Sequence, residues 1–301
     1  MTTTHRTNGV SHSLVAIVAA LFAQAAPAGA ANEVQVYGIA QFGGAGQCGS
    51  TGMTHPVHTS TAAAFAGPFA VMRLFGAWDS IDTLNNSNAR SSYFTDATKA
   101  GTCACTAADA AANAGLDEAD VVYVHTHGGH SESSPAQSSL SMGKSGTGLV
   151  CSARTDLNML WNSDLDIAVI KACQSGDYDT WANGGYRQKF TNGGSPFRMW
   201  NAFHGDSSCG SHVTSYVSNY AWESFHDGVG ENWLDEAYDS EGPDQDDCPV
   251  SIVIGSSHSA RVNLFENGGW LDRKSTGDKT GSTIFYFLGC DPDNGRKLPT
   301  S

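Results

Sequence analysis

The chain has 301 residues and eight cysteines, is 40% hydrophobic, and carries a formal net charge of −14. That length is enough for one large domain with a substantial hydrophobic core. The acidic balance argues against nucleic acid and anionic membranes as partners, because both would repel such a surface.

The first 30 residues have the pattern of a secretory signal peptide. Arg6 precedes an apolar stretch at 14–26 that is too short to span a bilayer stably, and small residues follow at 28–30. The alternative is that this stretch is a membrane anchor. No later segment approaches transmembrane length. We therefore expect an exported protein, secreted or periplasmic, with one domain at 31–301 and a loop-rich C-terminal part.

Hydrophobic periodicity predicts alternating strands and helices along this domain. In chain order, strands are expected within 33–42, 119–129, 164–176, 248–259 and 282–289. Helices are expected within 60–78, 106–118 and 212–228, and long polar loops at 79–102 and 130–150. In the last helix, Val213, Tyr216, Val217 and Tyr220 share one face and are expected in the core.

Two of these strands, within 119–129 and 164–176, are continuously apolar and end in small residues. Strands of this kind are typical neighbours in a parallel sheet that is covered on both faces. We therefore predict an α/β domain with a mostly parallel central sheet and helices on both faces. In such sheets chemistry lies at the carboxyl ends of the strands, where HTHGG (125–129) and ACQSG (172–176) both fall.

These two strand ends carry the residue types of thiol-based acyl transfer. A cysteine nucleophile needs a base or a positive charge nearby to form its thiolate. The attacked carbonyl needs hydrogen-bond donors for its developing negative charge. His127 and Gly128 follow the first strand and Cys173 follows the second, so a base, a closely approachable backbone and a nucleophile are expected together.

This pair of motifs resembles the caspase-like cysteine peptidases, which include caspases, legumains and gingipains. Their strands end in His-Gly and Ala-Cys, as VVYVHTHGG and IAVIKACQSG do here, and ACQSG is most similar to the legumain type. The layout also resembles a group of exported bacterial domains. The resemblance implies a caspase-like three-layer sandwich, with Cys173 as nucleophile, His127 as base, and the backbone N–H groups of Gly128 and Cys173 as oxyanion hole. It implies cleavage of a peptide or protein substrate through a thioester, without a cofactor or metal.

Some residues depart from the pattern of this family. Lys171 stands where caspases have Gln and legumains have Glu. If the strand runs to its end, Lys171 and Cys173 share a face, and the lysine either lowers the pKa of the thiol or points at solvent. His125 is an addition of unknown meaning, and His130 is placed in the loop. No substrate-pocket residue is identifiable, so the cleavage preference stays open.

A zinc hydrolase and an inactive binding domain are the alternative functions. His125, His127 and His130 have H-x-H-x-x-H spacing after a strand, which resembles the zinc motif of metallo-β-lactamase-fold hydrolases. Gly129 stands where that family has an aspartate. The binding-domain alternative makes Cys173 half of a disulfide and leaves no nucleophile.

The cysteines decide part of this choice. They are Cys48, Cys103, Cys105, Cys151, Cys173, Cys209, Cys248 and Cys290. If all eight pair, none is a nucleophile, and if Cys173 is a thiol, at least one other cysteine must be a thiol too. Acidic segments at 239–247 and 291–296 have Ca²⁺-like ligand density but do not match an EF-hand loop, so solvated loops are the favoured interpretation.

Overall fold

The structure is a computed structural model. It describes residues 32–42, 54–96, 115–131, 137–143, 152–155, 159–161, 164–183, 196–241, 247–271, 280–287, 290 and 298. The expected signal peptide, the acidic segment at 291–296, most of that at 239–247, and four of the cysteines lie outside these residues. Among the described residues, no helix is both long enough and apolar enough to cross a membrane.

A mixed sheet forms the centre of the fold. The described residues contain these strands: β1 (Glu33–Gly38), β2 (Ser80–Asn85), β3 (Val121–His125), β4 (Gly128–Ser131), β5 (Gln137–Ser141), β6 (Ser152–Arg154), β7 (Ile167–Lys171), β8 (Met199–Phe203), β9 (Pro249–Gly255) and β10 (Gly281–Tyr286). The central sheet has the order β10-β9-β8-β7-β3-β1-β2, and β4-β5-β6 form a smaller sheet. Strands β2, β1, β3, β7 and β8 run parallel, while β9 is antiparallel to both of its neighbours.

The two apolar strands of the sequence, β3 and β7, are parallel neighbours at the middle of this sheet, as predicted. They pair in register from Val121 opposite Ile167 to His125 opposite Lys171. Every residue in both strands is buried, because layers of the fold cover both faces of the sheet. The predicted α/β class, with a mostly parallel central sheet in a three-layer sandwich, is confirmed.

Helices of the described residues cover the two faces unequally. They are α1 (Pro56–Arg73), α2 (Tyr178–Asn183), α3 (Val213–Glu223), α4 (Val229–Glu241) and α5 (His258–Asn267). On one face, α1, α3, α4 and α5 bury Phe65, Phe69, Val217, Trp233 and Leu264 against the sheet. On the other face, the short α2 and the small sheet bury Trp181, Leu140 and Ala153. Alternate residues of β3 supply the two clusters, because successive side chains of a strand point to opposite faces.

Several local elements differ from the sequence prediction. The predicted loop at 79–102 contains β2, and the predicted loop at 130–150 contains β5 and the second half of β4. The polar residues of these strands pair at a sheet edge or outside the main sheet. Such strands lack the apolar run that marks a central strand. Helix α1 starts four residues earlier than predicted and continues through Pro68, whose side chain is buried beside Phe65 and Phe69. The predicted core face of 212–228 is confirmed, since Val213, Tyr216, Val217 and Tyr220 are all buried in α3.

Candidate functional site

His127 and Cys173 lie at the same edge of the central sheet. Each is the second residue after its strand, β3 or β7, and these strands end opposite each other. The N–H of Thr126 donates to the Lys171 carbonyl at 3.2 Å, so the pairing continues one residue beyond β3. Neighbouring strands are about 4.8 Å apart, so the sheet brings the two predicted residues to adjoining positions.

Gly128 packs its backbone directly on Cys173. A Cβ at Gly128 would lie 2.1 Å from the carbonyl oxygen of Cys173 and 3.0 Å from Cβ of Ala172. A side chain of any size is therefore incompatible with this contact. The neighbouring Gly129 has no such constraint, because its nearest atom would be Oγ of Ser139 at 4.0 Å. The first glycine of the motif is required by geometry, and the second is not.

The N–H groups of Gly128 and Cys173 are both directed away from the hydrogen bonds that the preceding carbonyls accept. The His127 carbonyl accepts from the N–H of Ser141 at 2.8 Å, and the Ala172 carbonyl accepts from the N–H of Ser175 at 3.2 Å. A trans peptide places its C=O and the following N–H on opposite sides. The N–H of Gly128 is therefore directed away from β5, and that of Cys173 away from its turn.

The rest of the ACQSG motif fixes this turn. Gln174 has a φ of 56°, donates its N–H to the Gly205 carbonyl at 2.7 Å, and accepts from the His130 N–H at 3.1 Å through Oε1. The Ser175 hydroxyl lies 2.8 Å from the Ile170 carbonyl oxygen and 2.7 Å from that of Ala172. At Gly176, an added Cβ would lie 2.8 Å from side chains of β8 and β9. The prediction that His130 lies in a loop is therefore wrong. It lies in β4, packed on the cysteine turn.

Cys173 is a half-buried thiol. Its Sγ donates to the Ser207 carbonyl at 3.8 Å. The pKa of Cys173 is raised to about 11, mainly by burial and also by Asp206 and Cys209, while the Ser207 contact and Lys171 act to lower it. The thiol is therefore protonated at neutral pH in this structure.

With an even number of cysteines, a thiol at Cys173 calls for a second cysteine thiol. Cys209 is a thiol as well, and it meets this requirement. Cys248 and Cys290 form a disulfide with Cα atoms 5.4 Å apart, so the start of β9 is tied to the segment after β10. The alternative in which Cys173 itself is half of a disulfide does not hold here.

Lys171 is fully buried and does not point at solvent. Its Nζ donates to the Ser207 hydroxyl at 2.8 Å and lies 4.7 Å from the centre of the Phe203 ring and 5.2 Å from that of Tyr216. The ammonium group is one of the influences that lower the pKa of Cys173. The role of Lys171 as a modulator of the thiol pKa stays a prediction, because burial of the thiol outweighs this influence.

Four imidazoles, including that of His127, cluster at the start of α1 and the end of β3. The ring centres of His58 and His125 are 4.0 Å apart, and those of His55 and His127 are 4.6 Å apart. Burial is the main cause that lowers the pKa of His58 to about 4, that of His125 well below its usual value, and that of His127 to a smaller extent. All three of these rings are therefore neutral near pH 7.

His125 is held by Thr61 of α1. The Thr61 hydroxyl donates to the His58 carbonyl at 3.0 Å and lies 2.5 Å from Nδ1 of His125. Because a hydroxyl has one hydrogen, it accepts from Nδ1, and Nε2 of His125 is left without a hydrogen. That Nε2 is buried and has no hydrogen-bond partner among the described residues, and the same is true of Nε2 of His127.

Three side chains with metal-ligand atoms lie together at this cluster, and they are not those of the sequence motif. Among the described residues, one nitrogen each of His55 and His58 and Sγ of Cys209 lie within 4.8 Å of one another. The histidine spacing H-x-x-H at the start of a helix was the available signal. The predicted alternative set of His125, His127 and His130 stays a prediction.

Similarity to known proteins is low. No protein-family model matches the chain, and no curated protein matches it. The chain is similar to protein GSU0716 from Geobacter sulfurreducens, whose crystal structure aligns with a TM-score of 0.43 and 11% sequence identity. The alignment covers 78% of this chain and 97% of that protein.

Proposed function

We propose that the protein is an exported cysteine hydrolase that cleaves peptide bonds, with Cys173 as nucleophile and His127 as base. The observation that carries the proposal is the contact of the His127-Gly128 segment with the Cys173 turn at the adjoining ends of β3 and β7. A thiol, an imidazole and two backbone N–H groups belong to these two adjoining segments, which are the groups that the caspase-like resemblance implies. The export part rests on the sequence of residues 1–30.

The reaction needs each of these groups in turn. His127 takes the proton from Sγ of Cys173 while the sulfur attacks the substrate carbonyl carbon. The N–H groups of Gly128 and Cys173 donate to the developing oxyanion. The imidazolium then gives its proton to the leaving amine, and a thioester remains. Water, deprotonated by His127, attacks the thioester and releases the carboxylate product and the thiol.

The protonation states favour base catalysis during the attack over a preformed ion pair. The pKa of Cys173 is raised to about 11 by burial, and burial lowers the pKa of His127. A neutral thiol beside a neutral imidazole is therefore the resting state. The base has to accept the proton in the transition state, which makes His127 indispensable to the rate.

A catalytically inactive binding domain is the second candidate, and one observation favours it. The thiol of Cys173 donates to the Ser207 carbonyl and has a raised pKa, as in a structural cysteine. In that case the strand-end motifs form a peptide-binding edge without turnover. The two candidates differ in whether His127 affects the reactivity of Cys173.

The deciding experiment combines cleavage with thiol labelling. The wild type, Cys173→Ala, His127→Ala and the exposed-histidine control His226→Ala are incubated with a mixture of synthetic peptides, and products are identified by mass spectrometry. We expect cleavage by the wild type and the control, none by Cys173→Ala, and a loss of about 100-fold or more in His127→Ala. Iodoacetamide labelling of Cys173 should also slow in His127→Ala. Labelling that is indifferent to His127, with no cleaved peptide, would reject the hydrolase and leave the binding domain.

A further inference from the structure

His58 is oriented as metal-binding histidines commonly are. Its Nδ1 lies 2.6 Å from the Ile39 carbonyl oxygen, and a carbonyl only accepts, so Nδ1 carries the hydrogen and donates it. Nε2 is then the nitrogen with the lone pair. It lies 3.4 Å from Sγ of Cys209. A backbone carbonyl that fixes the tautomer and orientation of an imidazole is the usual outer partner of a histidine ligand.

The distances suit a small tetrahedral ion. Zn–N bonds of about 2.0–2.1 Å and Zn–S bonds of about 2.3 Å place the donor atoms of a tetrahedral site about 3.5 Å apart. The His58 nitrogen and the Cys209 sulfur already have this separation, at 3.4 Å. All donor pairs in the group of His55, His58 and Cys209 lie within 4.8 Å. A side-chain rotation of the half-buried His55, of about 1 Å at its nitrogen, completes the geometry.

The chemistry of the donors selects the ion. Two imidazoles and one thiolate form a borderline-soft set that suits Zn²⁺ and excludes the oxygen-seeking Ca²⁺ and Mg²⁺. Binding deprotonates Cys209, and its proton goes to solvent. The resulting thiolate and the exposed Asp206 offset part of the charge of Lys171 nearby. The imidazole of His127 adjoins this group, with its ring centre 4.6 Å from that of His55.

We propose that His55, His58 and Cys209 bind one Zn²⁺ ion beside the Cys173–His127 pair, with the fourth position open to water or to Nε2 of His127. This site does not depend on the proposed hydrolase, because its donors lie on α1, its N-terminal flank and the loop after β8. Its position has a consequence for the neighbouring pair. An ion that takes Nε2 of His127 as its fourth ligand restrains that imidazole, so iodoacetamide labelling of Cys173 slows when the site is filled in this way.

The test measures metal binding on the full chain, without any activity. The folded protein, with its Cys248–Cys290 disulfide left intact, is freed of metal and titrated with Zn²⁺ in competition with a chromogenic chelator. We expect one equivalent to bind and Cys209→Ser and His55→Ala each to weaken binding by at least about 100-fold, more than loss of an outer-shell partner costs. His212→Ala, an exposed histidine close to Cys209, and Cys173→Ala are the matched controls and should bind as the wild type does.

A second measurement guards against loss of the fold in these variants. Co²⁺ in place of Zn²⁺ should give a thiolate charge-transfer absorption that Cys209→Ser removes while its circular dichroism stays that of the wild type. The buried His58 is left unchanged for the same reason. The proposal is overturned if no equivalent binds, if His55→Ala and Cys209→Ser bind like the controls, or if Cys173→Ala is the variant that loses binding. None of these outcomes depends on whether the protein cleaves peptides.

Discussion

The contact between Gly128 and Cys173 gives a sharp test of the site. In Gly128→Ala, the new Cβ would lie 2.1 Å from the Cys173 carbonyl oxygen, whereas real Cβ atoms stay beyond 3.0 Å from such neighbours. The cysteine turn or β4 must therefore move by about 0.9 Å. Overpacking of this kind costs about 2 kcal/mol of unfolding free energy. A displacement of about 1 Å at a reacting group lowers the rate about 100-fold.

Gly129→Ala is the matched control, one residue along the same strand. Its Cβ would meet its nearest atom, Oγ of Ser139, only at 4.0 Å, so its folding and its rate should be those of the wild type. Urea unfolding measures the free energy, and labelling of Cys173 and peptide turnover report the position of the thiol. If Gly128→Ala unfolds and reacts like Gly129→Ala, the close contact of the His-Gly segment with the cysteine turn is wrong. The basis of the proposed function would then be lost.

Two further predictions concern charge. Lys171→Met removes an ammonium group that lowers the pKa of Cys173. We expect labelling of Cys173 at pH 8 to slow about threefold or more, because the labelling rate follows the thiolate fraction. An unchanged labelling rate would contradict this role of Lys171. The pKa of Glu236 is raised to about 7, mainly by burial and next by the charge of Glu223. The protonated carboxyl therefore stabilises the fold below about pH 4.5, and this contribution is lost as the pH rises to about 7. After allowance for solvent screening, Glu236→Gln should be more stable than the wild type by about 1 kcal/mol at pH 8 and equal to it at pH 4.5. The exposed Asp82→Asn in β2 removes the same charge and should show no such pH-dependent gain, as urea unfolding at the two pH values would reveal.

The central sheet could be predicted from the sequence because its strands are apolar on both faces. VVYVH and IAVIK are fully buried, and no helical or alternating pattern competes with them. The polar edge strand β2 could not be predicted in this way, since SIDTLN is half exposed and has no apolar run. Strand β8, MWNAF, was missed although it is fully buried. Its neighbours β7 and β9, distant in sequence, supply the pairing that makes it a strand.

The positions of His127 and Cys173 at one edge of the sheet could be predicted because each follows a central strand, and strand order alone brings such positions together. The histidine cluster could not. His55 and His58 belong to the start of α1, and Cys209 to a loop after β8, so only the packing of α1 on the sheet brings them to the end of β3. Periodicity reports which face of a helix is buried, but not which strand end that face reaches.

The proposed hydrolase and the proposed zinc site can both require the same nitrogen atom of His127. A neutral imidazole has one nitrogen with a lone pair, and Nε2 of His127 is buried without a hydrogen-bond partner among the described residues. That nitrogen can take the proton of Cys173 or complete the coordination of Zn²⁺, but it cannot do both at once. If His127 occupies the fourth position, filling the site of His55, His58 and Cys209 withdraws the base that a thiol with a pKa of about 11 requires. The ion would then inhibit the hydrolase instead of assisting it, and a chelator should speed labelling of Cys173. If water occupies that position, the base stays available, and the chelator should change the labelling rate by less than His127→Ala does.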